Sequence, residues 1–264
     1  IYYDGTDLRV NPKVVGSGGF KVTGYGQMME VTSTSASSHF IISNESETQN
    51  NDCALIFNAT KDSTAGSANS KAYIQSYTTN SGGALTGDMR FFTNGGDQTG
   101  ERMRIDSTGA ITTPNNPAFM NRYGATNSNA TGDDTWVTLI GNTEVYDRNS
   151  DHNASTGGFT APVAGLYQMS VGIYLEGLLS THTRCHISMT STNSGGIRSG
   201  YINPWNMTAV HSWGNVFSYS YSLLMNLAAG DVVLAKVQVG GGTKVVDIQG
   251  STNITNYFSG HLVG

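Results

Sequence analysis

Short runs of alternating apolar and polar residues, broken by small polar residues, constrain this chain most. Gly, Asn, Ser and Thr interrupt nearly every window before a 3.6-residue period is established, so amphipathic helices are not expected. Residues 167–175 alternate apolar with mainly polar side chains, and residues 217–225 do the same. Such alternation gives a half-buried strand one apolar face. The sequence therefore predicts an all-β protein.

The same pattern predicts further strands, separated by turns such as the three glycines at 240–242. In the second half of the chain the predicted strands cover residues 136–145, 184–190, 232–239, 244–249 and 257–263. In the first half they cover residues 39–43, 54–58, 71–77, 88–93 and 101–106. Strands at this spacing predict a sandwich or a barrel.

Composition divides the 264 residues into successive parts. Residues 1–29 are predicted to form a Gly-rich β shaft segment, with too few apolar side chains for a core of its own. Such a segment needs neighbouring chains, so symmetric assembly is expected. The remaining parts are predicted to be a small β domain at 30–113, a linker at 114–117 with two prolines, and a last β domain at 118–264.

Charged residues make up only 12% of the chain, against about 25% in an average soluble domain. A net charge of -5 without a basic cluster argues against nucleic acid as a partner. No run of about 18 apolar residues could span a bilayer, and no leader-like segment opens the sequence, so neither a membrane span nor a cleavable signal is expected. The sequence begins with Ile1 rather than Met, and we expect further chain upstream.

The two cysteines, Cys53 and Cys185, lie in different predicted domains and in apolar, strand-like contexts. Two buried free thiols are predicted rather than a disulfide. Free thiols fit assembly in a reducing cytoplasm.

Three motifs in the last domain resemble one known family. Residues 158–167, GFTAPVAGLY, are similar to the signature of the C1q globular head family, in which a Phe, a Gly and a Tyr recur at this spacing. Residues 258–262 resemble that family's closing strand, and residues 227–233 resemble the loop and strand before it. The resemblance implies a ten-stranded jelly roll, assembled as a tight homotrimer and shared with the tumour necrosis factor fold.

The upstream part resembles a different family. Residues 2–5, YYDG, followed by residues 20–24, FKVTG, resemble the repeated shaft segments of bacteriophage tail fibres. Residues 101–109, ERMRIDSTG, resemble a segment frequent near the distal ends of such fibres. After Gly109 the sequence reads Ala-Ile-Thr-Thr instead of the customary Gly-rich continuation. This resemblance implies a virion tail fibre, assembled in the cytoplasm of the host bacterium and joined to other tail proteins through the upstream chain.

The sequence holds no motif typical of a catalytic site. Gly-x-Ser-x-Gly, a Walker-type loop and His-Glu-x-x-His are all absent, and the GSGG at 16–19 reads as a turn. We therefore predict no catalytic residues. The enzymatic alternative is a tailspike-like protein that degrades polysaccharide with paired carboxylates, for which Glu144, Asp147 and Asp151 are the candidates.

Asp147 and Asp151 lie in a polar loop with His152, and the oxygen-rich composition of this loop suits calcium. Some C1q-like heads bind calcium near the trimer apex, so the resemblance extends a calcium hypothesis to this loop or to Asp133 and Asp134. A solvated loop without metal is the alternative.

A second group of metal- or anion-binding side chains consists of His182, Arg184 and His186. They alternate along one predicted strand and would share one of its faces. No third ligand has the spacing of a metal site, so the alternative is a polar strand face or a trimer contact.

Flat aromatic side chains and amides are concentrated between residues 201 and 213, a mixture that suits sugars or protein hot spots. The alternative is that Trp205 and Trp213 pack in the sandwich or in the trimer seam. The predicted receptor-binding residues are Tyr201, Asn203, Trp205, Asn206, His211 and Trp213.

These observations together predict a non-enzymatic trimeric adhesin at the end of a tail fibre. It would attach the virion to a bacterial surface glycan or outer-membrane protein, with avidity from three copies. A purely structural fibre component, in which the jelly roll only holds three chains together, is the alternative from a different class.

Overall fold

A computed structural model describes residues 2–3, 8–9, 42, 51–57, 72–81, 84–94, 99–192, 197–202, 214–250 and 256–264. The described residues form strands and turns, so the all-β prediction is confirmed. In these ranges no helix is long and apolar enough to cross a membrane. Of the predicted shaft segment, β1 (Tyr2–Tyr3) pairs with β2 (Leu8–Arg9). The motif at 20–24 and most of the strand predicted at 39–43 lie outside the described residues.

A five-stranded antiparallel sheet, the small sheet, lies within the predicted small β domain. Each strand pairs with the next along the chain. Four of them overlap the strands predicted between residues 54 and 106. The strands are β3 (Asn51–Phe57), β4 (Ala72–Ser81), β5 (Ala84–Asn94), β6 (Thr99–Ile105) and β7 (Ile111–Thr112).

The ERMRIDSTG segment forms β6 and a tight turn into β7. The Arg104 guanidinium donates two hydrogen bonds to the Glu101 carboxylate, at 3.0 and 2.7 Å. At the turn, Asp106 Oδ1 accepts the N–H of Thr108 at 2.8 Å and that of Ala110 at 2.9 Å. The Thr108 hydroxyl also donates to Asp106 Oδ1, at 2.7 Å, and this bond, together with the two backbone bonds, holds the pKa of Asp106 below its usual value. The residues after Gly109 therefore continue the sheet as its last described strand.

The described residues of the last domain form a sandwich of thirteen strands that begins at Ala118, directly after the predicted linker. Its first strands are β8 (Ala118–Arg122), β9 (Asn127–Thr131), β10 (Trp136–Thr138), β11 (Thr143–Arg148), β12 (His152–Asn153), β13 (Gly158–Thr160) and β14 (Gly165–Glu176). The others are β15 (Arg184–Ser191), β16 (Ile197–Ile202), β17 (Phe217–Leu227), β18 (Val232–Gly240), β19 (Val246–Ile248) and β20 (Tyr257–Leu262).

Ten of these strands form two five-stranded sheets. The first sheet has the order β11-β8-β20-β14-β17, and the second has the order β12-β13-β18-β15-β16, with neighbouring strands antiparallel. Strands β9 and β19 extend the first sheet, and β10 pairs with β18 in the second. This is the arrangement of a ten-stranded jelly roll, so the predicted fold is confirmed.

The core lies between the two sheets and includes the alternating face predicted from residues 167–175. Phe159 and Tyr167 of the GFTAPVAGLY segment pack together there, with ring centroids 5.6 Å apart, and the Tyr167 hydroxyl donates to the Val163 carbonyl at 2.8 Å. The fully buried apolar residues from β14 and the second sheet are Phe159, Tyr167, Met169, Val171, Ile173, Leu175, Ile187, Met189, Val233, Ala235, Val237 and Val239.

The single strand predicted over residues 136–145 is wrong. Strand β10 belongs to the second sheet and β11 to the first. The chain crosses between them at buried Leu139, whose N–H donates to the Ala235 carbonyl at 2.8 Å. A side chain at Gly141 would collide with the amide oxygen of Asn121, so this crossing requires glycine.

Both cysteines are free thiols in the structure. Cys185 lies in the sandwich core, where burial raises its pKa to about 12. Cys53 is only half-buried in the small sheet, contrary to the prediction, because β3 lies at one end of that sheet.

Replacing Phe119 with Ala should destabilise the head by about 3–5 kcal/mol, because this fully buried ring leaves a cavity. Chemical unfolding would measure the loss. Val163→Ala, at a position 46% exposed, is the control and should change stability by less than about 0.5 kcal/mol. A Phe119→Ala variant as stable as this control would contradict the described core.

Candidate functional site

Asp147 closes the polar loop between β11 and β12. Its Oδ1 accepts the N–H of Asp151 at 3.1 Å, and its Oδ2 accepts the N–H of His152 at 3.0 Å. In the turn between Asp147 and Asp151, Asn149 and Ser150 have φ angles of 69° and 58°, a left-handed conformation that is uncommon for residues other than glycine. The carboxylate predicted to bind metal therefore holds the backbone of its own loop.

His152 extends from this loop into the core of the sandwich. Its ring stacks on Phe119 with centroids 5.0 Å apart, and its Nδ1 lies 3.1 Å from the amide nitrogen of Asn121. Burial lowers the pKa of His152. Burial, together with the negative charge of Asp147, raises the pKa of Asp151. The loop thus combines a neutral buried histidine with a partly desolvated acid.

The described residues include no group of three or more His, Cys, Asp or Glu side chains arranged to hold a metal ion. At the other suggested position, Asp133 Oδ1 accepts the Thr135 hydroxyl at 2.6 Å, which holds the pKa of Asp133 below its usual value. Asp134 pairs with Arg184 at 2.5 Å. Calcium binding by Asp147 and Asp151 stays a prediction.

His182, Arg184 and His186, predicted to share one strand face, do not all lie on one strand. His182 precedes β15 and is buried, and both ring nitrogens bond to the backbone. The N–H of Leu179 donates to Nδ1 at 2.9 Å, and Nε2 donates to the Thr243 carbonyl at 3.0 Å. His182 therefore shapes a loop. Arg184 and His186 lie on β15 and face outward, opposite the buried Cys185.

His186 belongs to a row of residues that crosses the outer face of the second sheet. Gln238 pairs with Trp136 on one side and with His186 on the other, and His186 pairs with Tyr201. Directly paired residues of an antiparallel sheet share a face. We call Trp136, Gln238, His186 and Tyr201 the outer row.

The outer row brings one predicted receptor-binding residue, Tyr201, into register with His186, a member of a different predicted group. The other predicted receptor-binding residues, Asn203, Trp205, Asn206, His211 and Trp213, lie outside the described residues. Trp136 is an addition that the sequence did not single out. It exposes 45% of its surface, and its ring lies 5.9 Å from that of His186.

Next to Trp136 the surface is concave, with a volume of about 550 Å³. Strand β10 forms one wall, and the segments before β9 and before β11 form the others. We call this concavity the Trp136 cleft; its lining residues are Tyr123, Ala125, Thr126, Asn127, Trp136, Val137, Thr138, Ile140 and Asn142.

Comparison with known proteins gives matches only among solved structures. No protein-family model matches the chain, and no curated protein matches it. The globular domain of zebrafish complement 1qA protein is 21% identical, with a TM-score of 0.39, over 56% of this chain and 98% of that one. Murine APRIL is 10% identical, with a TM-score of 0.39, over 56% of this chain and 99% of that one. The jelly roll itself follows from the strand order of the chain.

The buried His152 should make the head less stable in mild acid. Because the folded-state pKa lies below the ordinary 6.5, the unfolded chain takes up the proton first as the pH falls. The stability contributed by the neutral ring is complete above about pH 6.5 and is lost as the pH falls toward the folded-state pKa. We expect His152→Gln to reduce the loss of unfolding free energy between about pH 7.5 and about pH 5.5.

Exposed His261 on β20 provides the matched control. Urea unfolding of His261→Gln should retain the wild-type pH dependence, while His152→Gln flattens it. The raised pKa of Asp151 acts in the opposite direction, so the test is the difference between variants at each pH. Equal pH dependence in wild type and His152→Gln would contradict the assignment.

Proposed function

We propose that this chain is the distal part of a bacteriophage tail fibre. In this proposal it is a non-enzymatic, homotrimeric adhesin that attaches the virion to a receptor on a bacterial surface. The observation that carries the proposal is the outer row, in which the strand register aligns Trp136, His186 and Tyr201 across the second sheet. Aromatic side chains on such a platform are typical of binding hot spots. The motifs at residues 2–5 and 101–109 support the tail-fibre context.

The small sheet supports assembly of several chains. Strand β3 lies at the end of the described sheet. Its successive residues Leu55, Ile56 and Phe57 expose 43%, 42% and 54% of their surfaces. Successive strand residues point to opposite faces, so both faces carry exposed apolar side chains. Proteins usually cover such edges, and symmetry-related copies of the chain would do so here.

The proposal also covers the polar loop between β11 and β12. Asp147 uses both carboxylate oxygens to hold the backbone, which favours a structural role over paired-carboxylate catalysis with Glu144 or Asp151. Calcium at Asp147 and Asp151 belongs to the proposal as an addition to this loop. The proposal further includes a location in the virion, assembly in the bacterial cytoplasm and attachment to other tail proteins through upstream chain.

The first prediction of the proposal concerns solution mass. Light scattering of the purified chain should give about 84 kDa, three times the 28.0 kDa of one chain. The mass should not change on dilution if the trimer is tight. A stable species at the monomer mass would contradict the proposed assembly.

The second prediction concerns attachment to cells. Labelled protein should bind a susceptible bacterium, and Tyr201→Ala or His186→Ala should weaken binding by about tenfold or more, as expected of hot-spot residues. The matched control is Tyr146→Ala, since Tyr146 is 46% exposed on β11 of the first sheet. This control should bind like the wild type.

Each variant must keep the trimer mass for the comparison to count. A trimer that binds no susceptible bacterium would contradict the adhesin and favour the purely structural fibre component. Release of sugar from host surface polysaccharide would contradict the non-enzymatic assignment.

A further inference from the structure

We infer that the Trp136 cleft binds an uncharged sugar unit of a surface glycan. The inference deepens the proposed function, on which it rests for the source of the glycan. The outer row indicates a binding surface without naming its ligand, whereas the chemistry of the residues that line the Trp136 cleft indicates a specific class of ligand. The aromatic wall, the free polar groups, the lack of charge and the rigid floor each contribute to it.

The aromatic wall is Trp136. Pairing between Trp136 and Gln238 holds β10 against β18, and the Gln238 side chain donates to the Asp134 carbonyl at 2.7 Å. The indole is therefore presented from an anchored strand, with nearly half of its surface exposed. An aromatic face carries partial negative charge, and the C–H bonds on one face of a sugar ring carry partial positive charge. The two surfaces are complementary in shape and polarity.

Polar groups that have no hydrogen-bond partner among the described residues lie next to this wall. Within the part of the chain that the structure describes, neither the Asn127 amide nor the Trp136 indole N–H makes a hydrogen bond. Among the described residues, Asn142 bonds only through its oxygen, which accepts the N–H of Gly124 at 2.6 Å and a weaker bond from Thr143. Its NH₂ group remains available. Sugar hydroxyls both donate and accept, as these amides do.

The lack of charged side chains in the Trp136 cleft determines which sugars it can bind. The lining of the Trp136 cleft contains no Asp, Glu, Lys or Arg. A uronic or sialic acid carboxylate would lose water on entering and would gain no opposite charge, which is costly. A neutral hexose loses only hydroxyl hydration and regains hydrogen bonds from the amides. The cleft therefore favours neutral over acidic sugars.

The floor of the cleft is rigid because Tyr123 ties it together. Its hydroxyl donates to the Thr138 carbonyl at 3.0 Å and accepts the N–H of Ile140 at 2.8 Å. Burial raises the pKa of Tyr123 to about 12, so the hydroxyl keeps its proton at neutral pH. Tyr123 is a positioning residue that fixes the segment carrying Trp136. A site fixed before binding loses less entropy on binding.

Saturation-transfer NMR of the assembled full chain tests the inference. The probes are methyl glycosides of glucose, galactose, mannose and N-acetylglucosamine, with methyl glucuronide as the acidic comparison. At least one neutral glycoside should receive saturation, strongest at the C–H protons of one ring face. Methyl glucuronide should receive none.

Three variants assign the signal to the cleft. Trp136→Ala should weaken binding at least tenfold, and Trp136→Phe should restore part of it because an aromatic face remains. Asn142→Asp keeps the oxygen that accepts Gly124 but removes the NH₂ donors, so it should weaken binding as well. The matched control is Asn226→Asp, at an exposed position on β17. Binding of no neutral glycoside, or binding unchanged by Trp136→Ala, would overturn the inference.

An assay of attachment to cells distinguishes failure of the sugar-binding inference from failure of the proposed attachment function. If the chain binds a susceptible bacterium but no neutral glycoside, the adhesin stands and the sugar cleft is overturned. If a neutral glycoside binds through Trp136 but no bacterium is bound, the cleft stands and the attachment function fails.

Discussion

The aromatic stack centred on Phe119 is the contact on which the head depends most. Phe119, from β8 of the first sheet, stacks on Phe159 of the second sheet at 4.6 Å and on His152 at 5.0 Å, with both ring pairs within 12° of parallel. Phe258, from the closing strand, meets it edge-on at 5.0 Å. The Phe119 ring thus contacts both sheets and the polar loop between β11 and β12. Core packing at His152 and the hydrogen bonds of Asp147 therefore both hold the polar loop between β11 and β12.

The long strands of this fold could be predicted because they are half-buried over their whole length. Strand β14 places all its alternating apolar residues in the core, and the sequence pattern alone identifies it. Strands β12 and β13 have only two and three residues, too few for a period. Strand β9, Asn127–Thr131, is mostly polar and exposed, and only its pairing with β19 makes it a strand. Pairing between strands that lie more than a hundred residues apart leaves no pattern in the local sequence of either strand.

The candidate site was less predictable than the fold because it is built across strands. Tyr201 could be selected for its residue type, but its neighbours in the outer row are far away in sequence. Trp136 joins them only through the register of β10, β18, β15 and β16. Alternation also misplaced His182, because a period of two does not show where a strand begins. Its ring instead bonds to two backbone segments.

The low charge of the chain and the chemistry of the Trp136 cleft have a common physical consequence for the proposed adhesin. Attraction between exposed charges is screened by salt over about 8–10 Å, whereas aromatic packing and amide hydrogen bonds are not screened in this way. A site made of Trp136, Asn127 and Asn142 would therefore bind similarly in dilute and in salty surroundings. Such contacts are individually weak, and one sugar unit in an open cleft would be released quickly. Three linked copies facing a repetitive glycan raise the effective concentration of each unbound site, so the proposed trimer would compensate for the weak binding of a single neutral site.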